Sequence, residues 1–108
     1  MQTNNVHQSS PGINQQRIAH TVRLAIANNF YYPAMARRRG QQGYVRLAMR
    51  IEADGYLSNM RVVQSSGYGL LDNAAIKTLQ RVDRVPEAVT WLDGHYLDMI
   101  LPIEYRLE

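Results

Sequence analysis

The sequence predicts an α+β domain with two layers. A three-stranded antiparallel sheet is packed by two helices, in the order helix, strand, strand, helix, strand. Three observations predict it. Tyr44 to Glu52 alternates side by side with an Asp54-Gly55 turn behind it. Leu71, Ala75, Leu79 and Val82 recur at helical spacing. His95 to Leu107 alternates again, with Pro102 inside the run.

The elements follow in chain order. Residues 1–9 are rich in Gln, Asn and Ser. They can bury too little apolar surface to offset their ordering entropy, so they predict a disordered tail or the end of a linker. The folded domain is expected over residues 10–108. Ser10-Pro11 suits a helix start, with Ser as cap and Pro in the first turn; Asn14 competes for the cap role one turn later. The first helix is expected to reach about Asn28, with Ile18, Val22, Ala25 and Ile26 on its apolar face and Leu24 off it. Pro33 ends any continuation and pushes Tyr32 to an extended conformation. Ala34 to Arg39 can form one more helical turn before Gly40.

In the first strand Val45, Leu47, Met49 and Ile51 face the core, and Tyr44, Arg46, Ala48, Arg50 and Glu52 face out. Leu57 to Gln64 returns as the second strand, with Met60 and Val62 inward, and Gly67 and Gly69 break it. The second helix is expected over Leu70 to Val82, with Asp72 in its first turn and Arg81 in its last, both complementing the helix dipole. Glu87 to Gly94 is expected to be a loop carrying Trp91. In the last strand Leu97, Met99, Leu101, Ile103, Tyr105 and Leu107 share a face. Pro102 cannot donate to a ladder, which places this strand at a sheet edge.

At 108 residues and 45% apolar content, one modest core is available. No apolar run is long enough to span a bilayer, and no basic-then-apolar leader opens the chain. Cysteine is absent, which excludes disulfides and thiolate metal sites. The net charge of +3 is unevenly spread: no acidic residue precedes Glu52, whereas seven arginines do. A one-sided basic surface suits anionic partners, and a solvated face explains it as well.

No catalytic constellation competes. His7, His20 and His95 lack metal-ligand spacing, so no metal site is expected. Ser65-Ser66 has no neighbouring base, and turn serines of this kind bond to backbone. The glycine pairs match neither dinucleotide nor phosphate-loop spacing. An enzyme and a cofactor are therefore not expected. The basic patch Arg37, Arg38 and Arg39 could grip phosphates, with Tyr44 as a stacking platform. One tyrosine is no interleaved set, so a nucleic-acid partner is not expected and a small basic nucleic-acid-binding domain ranks below protein binding.

Four ordered elements carry a resemblance. They are Tyr32-Pro33; the Gly43-anchored strand with Asp54-Gly55; Ser65-Ser66-Gly67 leading to Leu71-Asp72 and Ala74-Ala75; and the closing strand with Pro102, Ile103 and Tyr105. Together they resemble the C-terminal domain of the TonB family. The resemblance implies a periplasmic domain whose parent is anchored in the inner membrane, with motor subunits as partners through that missing N-terminal anchor. It implies capture of the N-terminal box of outer-membrane transporters by strand addition, driving active uptake of cargo such as siderophore-bound iron. The implied docking residues are Leu97, Asp98, Met99, Ile100, Leu101, Pro102 and Ile103 on the last strand. Asn29, Tyr32 and Pro33 correspond to the family's segment near the captured box, and Asn29 stands where glutamine is frequent. A TolA-like or other envelope protein-interaction domain is the alternative. The open edge also offers strand exchange between two copies, a homodimer.

Overall fold

The computed structural model describes residues 14–108. Ser10-Pro11 and the expected tail over residues 1–9 lie outside the described residues. The elements are α1 (Gln15–Asn29), α2 (Ala34–Arg38), β1 (Gly43–Ile51), β2 (Leu57–Gln64), α3 (Gly69–Val82), a 3-10 turn (Pro86–Ala88), α4 (Val89–Leu92) and β3 (Leu97–Tyr105). The strands form one antiparallel sheet in the order β2-β1-β3, so β3 is an edge strand.

Helices α1 and α3 pack together over one face of this sheet. The apolar stripes dictate that face. Ile18, Val22 and Ile26 of α1 are buried, as are Leu71, Ala75, Leu79 and Val82 of α3. They meet Val45, Leu47, Met49 and Ile51 of β1 and Leu97, Leu101, Ile103 and Tyr105 of β3. Leu24 is exposed, as its place off the stripe implies. Asn14 occupies the cap position of α1 but makes no side-chain capping bond. On β2, Met60 and Val62 are half-buried against the core.

The segment after α3 departs from the expected loop. α3 ends at Val82, where Asp83 takes φ +59°, and Pro86 then opens a 3-10 turn that runs into α4, so Glu87 to Leu92 is helical. Proline lacks an N–H that the first helical turn would leave unpaired anyway, so a residue that blocks a helix interior suits a helix start. Ala88 and Leu92 carry this segment into the core.

Two glycines hold close approaches. Gly55 has φ +88°, and a Cβ there would lie 2.9 Å from the Val85 carbonyl oxygen. The Val85 N–H in turn donates to the Gly55 carbonyl at 2.8 Å. At Gly43 a Cβ would sit 3.1 Å from the Ser66 carbonyl oxygen. Ser66 and its neighbour are held by Asp72: the Ser66 N–H donates to Oδ1 at 2.9 Å, the Ser66 hydroxyl to Oδ1 at 2.8 Å, and the Ser65 hydroxyl to Oδ2. Partial burial would raise the Asp72 carboxyl, but these three donors outweigh it and hold it below its ordinary value. Motif residues far apart in sequence are thus one structural joint, in which α3 fixes the turn that meets the start of β1.

Candidate functional site

The direction of the backbone along β3 decides what this edge can offer. Glu52 donates its N–H to the Tyr56 carbonyl and accepts from the Gly55 N–H, each at 2.8 Å, so its backbone faces β2. Backbone direction alternates along a strand; Ile51, Met49, Leu47, Val45 and Gly43 therefore face β3. β1 and β3 stay in unbroken register from Gly43 opposite Tyr105 to Ile51 opposite Leu97. Leu97, Met99, Leu101, Ile103 and Tyr105 consequently turn their N–H and C=O groups inward to β1. Asp98, Ile100, Pro102 and Glu104 turn theirs to the open edge. Pro102 therefore sits where its missing donor breaks no bond of the sheet.

The other edge differs. β2 pairs with β1 through two register shifts, and Asn59 has φ +53°. Its beginning is already occupied: the Leu57 N–H donates to the Asp83 carbonyl at 2.8 Å, and Tyr56 bridges to Arg84. Bulges and covering segments blunt an edge against pairing. Among the described residues, β3 is the long, regular and uncovered edge of the two.

Side chains along the open edge are held from β1. Arg50 lies opposite Asp98 and grips its carboxylate, Nε to Oδ1 at 2.8 Å and Nη2 to Oδ2 at 3.1 Å. These hydrogen bonds hold the Asp98 carboxyl below its ordinary value, against the smaller opposing effect of burial. The Arg50 guanidinium also lies 3.8 Å from the centroid of the Tyr96 ring. Ile100 is 51% exposed, a large apolar side chain in the middle of the edge.

At the far end of β3 the chain brings in the segment after α1. Tyr32 meets Tyr105 edge to face with centroids 5.1 Å apart, and Phe30 lies 4.9 Å from Tyr105. The Tyr32 hydroxyl donates to the Gln41 carbonyl, which ties Tyr32-Pro33 to the entrance of β1. Tyr105 is 1% exposed, and burial pushes its hydroxyl up to about 12. That hydroxyl lies buried beside Thr78 without a hydrogen bond of normal geometry.

The structure thus brings Tyr32 and Pro33 to the Tyr105 end of β3. Leu97 and Asp98 lie at the opposite end of the strand, about 27 Å away for eight residue steps. The Asn29 side chain donates to the Ala25 carbonyl of its own helix at 2.8 Å, which engages one of its two amide hydrogens. Arg37, Arg38 and Arg39 are exposed at the end of α2, and none makes an ion pair among the described residues. Arg37 instead lies 5.0 Å from the Tyr32 ring centroid. Sequence reasoning missed Phe30, Arg50 and Tyr96. Phe30 could have been found from the Phe-Tyr-Tyr-Pro run; the Arg50 pairing needed the register. Among the described residues no group of three or more His, Asp or Glu could hold a metal ion, and no helix is long and apolar enough to cross a membrane.

The family model and the sequence relatives agree on one family. Residues 28–107 match the family model described as the Gram-negative bacterial TonB protein C-terminal. Protein TonB of Helicobacter pylori strain 26695 is 28% identical over 102 residues, covering 92% of this chain and 33% of the relative. Protein tonB2 of Pseudomonas aeruginosa is 46% identical over 55 residues, 51% of this chain and 20% of the relative. The chain therefore spans a third or less of the length of these relatives. Among solved structures, the solution structure of the Helicobacter pylori TonB C-terminal domain superposes with a TM-score of 0.68 at 28% identity, covering 91% of this chain and 87% of that one. A solution structure of TolAIII bound to a peptide derived from the N-terminus of TolB gives a TM-score of 0.59 at 18% identity, a likeness of fold. The match over residues 28–107 takes in every strand and α3, the elements that build the open edge; the chain belongs to the TonB C-terminal family.

Proposed function

We propose that this domain is the periplasmic partner-binding end of a TonB-like energy transducer. It docks the N-terminal segment of an outer-membrane transporter as an added strand along β3, from Leu97 to Ile103. The observation that carries this reading is the open edge itself: a nine-residue, unbulged strand whose outward backbone groups at Asp98, Ile100, Pro102 and Glu104 have no strand beside them among the described residues. Main-chain bonds then supply affinity, and pockets for alternate side chains supply selectivity. Tyr32, which leads into Pro33, buttresses the Tyr105 end of this edge. Such a ladder also suits a mechanical link, because several bonds must break together when the docked segment is pulled along the strand. The role is one of binding and force transfer, with no chemistry performed on the partner. In the parent protein, an inner-membrane anchor would couple the domain to motor subunits.

Titration with extended peptides from transporter N-termini, followed by amide NMR, tests the reading. Binding should shift the Asp98, Ile100 and Glu104 amides first. Absence of peptide binding, with tight and salt-steep binding of a random-sequence duplex instead, would reverse it in favour of the basic surface.

A further inference from the structure

The backbone directions along β3 leave the open edge with an uneven set of groups. Four carbonyls face out, at Asp98, Ile100, Pro102 and Glu104, but only three N–H donors, because Pro102 has none. The gap lies in the interior of the edge, so pairing over the middle of the strand must meet it. We propose that Pro102 is a selectivity residue that biases this edge against pairing with a second copy of itself and toward a foreign strand.

The two kinds of pairing differ in the bonds they lose. A foreign strand laid beside β3 finds one missing donor, so one of its carbonyls stays unpaired. Two copies of β3 paired antiparallel about a two-fold axis bring two prolines, one from each chain. If the axis passes between Ile100 and Pro102, each Pro102 faces the partner copy's Ile100 and each pair loses one bond. With the axis at Ile100, Pro102 faces the partner copy's Asp98 with the same loss on both sides. An axis at Pro102 itself sets the two prolines opposite each other, and both bonds of that pair vanish. Every such register loses two bonds, against one for a foreign strand.

The substitution is structurally mild. Pro102 faces away from β1, so the ladder to Val45 and Leu47 is made by Ile103 and Leu101 and does not depend on it. The Pro102 side chain is exposed. The sequence places the same donor gap wherever the strand is read, but only the register shows that the gap faces solvent rather than β1.

The partner half of this proposal rests on the docking reading above; the self-pairing half does not. Pro102→Ala tests both, with Pro102→Val as a second variant that keeps high strand propensity. Restoring one net hydrogen bond should tighten a docked transporter N-terminal peptide by about 2- to 10-fold. Self-association gains two bonds and should rise by roughly the square of that factor, about 4- to 100-fold. Sedimentation equilibrium from micromolar to millimolar protein reads the self-association, and amide hydrogen exchange locates it. The expected result is a wild type less associated than the variants, with Asp98, Ile100 and Glu104 amides newly protected in the variant dimers. Variants no more associated than wild type overturn the proposal, and so do dimers that leave those three amides unprotected. If no peptide binds wild type, the docking reading fails while the sedimentation result still decides the self-pairing claim.

Discussion

Arg50 and Asp98 stand directly opposite each other in the β1–β3 register and are joined by two hydrogen bonds, at 2.8 and 3.1 Å. The backbone directions explain why this pair is close. Arg50 faces β2 and Asp98 faces the open edge, so the two form a non-hydrogen-bonded pair, the kind in which opposing side chains approach most nearly. The β3 edge is therefore pinned to the central strand by a side-chain clasp at its Leu97 end. A second clasp, of aromatic rings, closes the Tyr105 end.

Acid should loosen the first clasp. The folded-state value of Asp98 is lowered by Arg50, so its contribution is present above the ordinary carboxylate value of 3.8 and is lost as pH falls through the folded value. Asp98→Asn should destabilise the protein slightly at neutral pH and flatten the acid limb of its stability curve. Urea melts from neutral pH down past pH 3.8 measure this. Parallel acid limbs for the two proteins would show that the pair contributes nothing on this exposed face.

Alkali should act at the other end. Tyr105 is raised from 10.0 to about 12, so its stabilising contribution is full below pH 10 and falls away as pH rises toward 12. Tyr105→Phe removes a buried hydroxyl that makes no hydrogen bond of normal geometry, and should cost less than about 1 kcal/mol at neutral pH. Above pH 10 the variant should become the more stable of the two. Thermal melts at neutral pH and above pH 10 check the crossover.

Core and surface leucines should separate cleanly. Leu79 is 0% exposed on α3, whereas Leu24 is 53% exposed on α1. Leu79→Ala should cost about 2–5 kcal/mol, and Leu24→Ala much less. Equal losses in urea melts would contradict the assignment of the α1 face.

Proline scanning of β3 should alternate. Ile100 turns its N–H to the open edge and Leu101 turns its own to β1. Ile100→Pro should keep the fold, read by circular dichroism, and weaken peptide capture by about 2- to 10-fold for the lost donor. Leu101→Pro breaks the ladder opposite Leu47 and should unfold the domain or cost about 3 kcal/mol or more. Arg38→Ala should leave fold and capture nearly unchanged, since Arg38 is exposed and makes no ion pair among the described residues. Unchanged peptide affinity in the Ile100 variant would mean the partner docks elsewhere.

The elements of this fold were legible in the sequence because their signals are local. The alternation from Tyr44 to Glu52, the Asp54-Gly55 turn, the Leu71-Ala75-Leu79-Val82 stripe and Pro33 each act within a few residues, where period and sterics decide the outcome. Pro102 also marked β3 as an edge, since a missing donor is tolerated only there or at a bulge. The Glu87 to Leu92 helical turns were not legible, because proline both blocks a helix interior and suits a helix start, and burial of Ala88 and Leu92 made the choice. Other features lay beyond any local reading. Which way Pro102 points depends on the hairpin at Glu52 and on unbroken pairing between β1 and β3. The contacts of Tyr32 with Tyr105, Gly43 with Ser66 and Arg50 with Asp98 join residues 23 to 73 positions apart. Side-chain period tells a residue which face it belongs to; only strand pairing tells its backbone which neighbour it has, and that is the property a docking edge depends on.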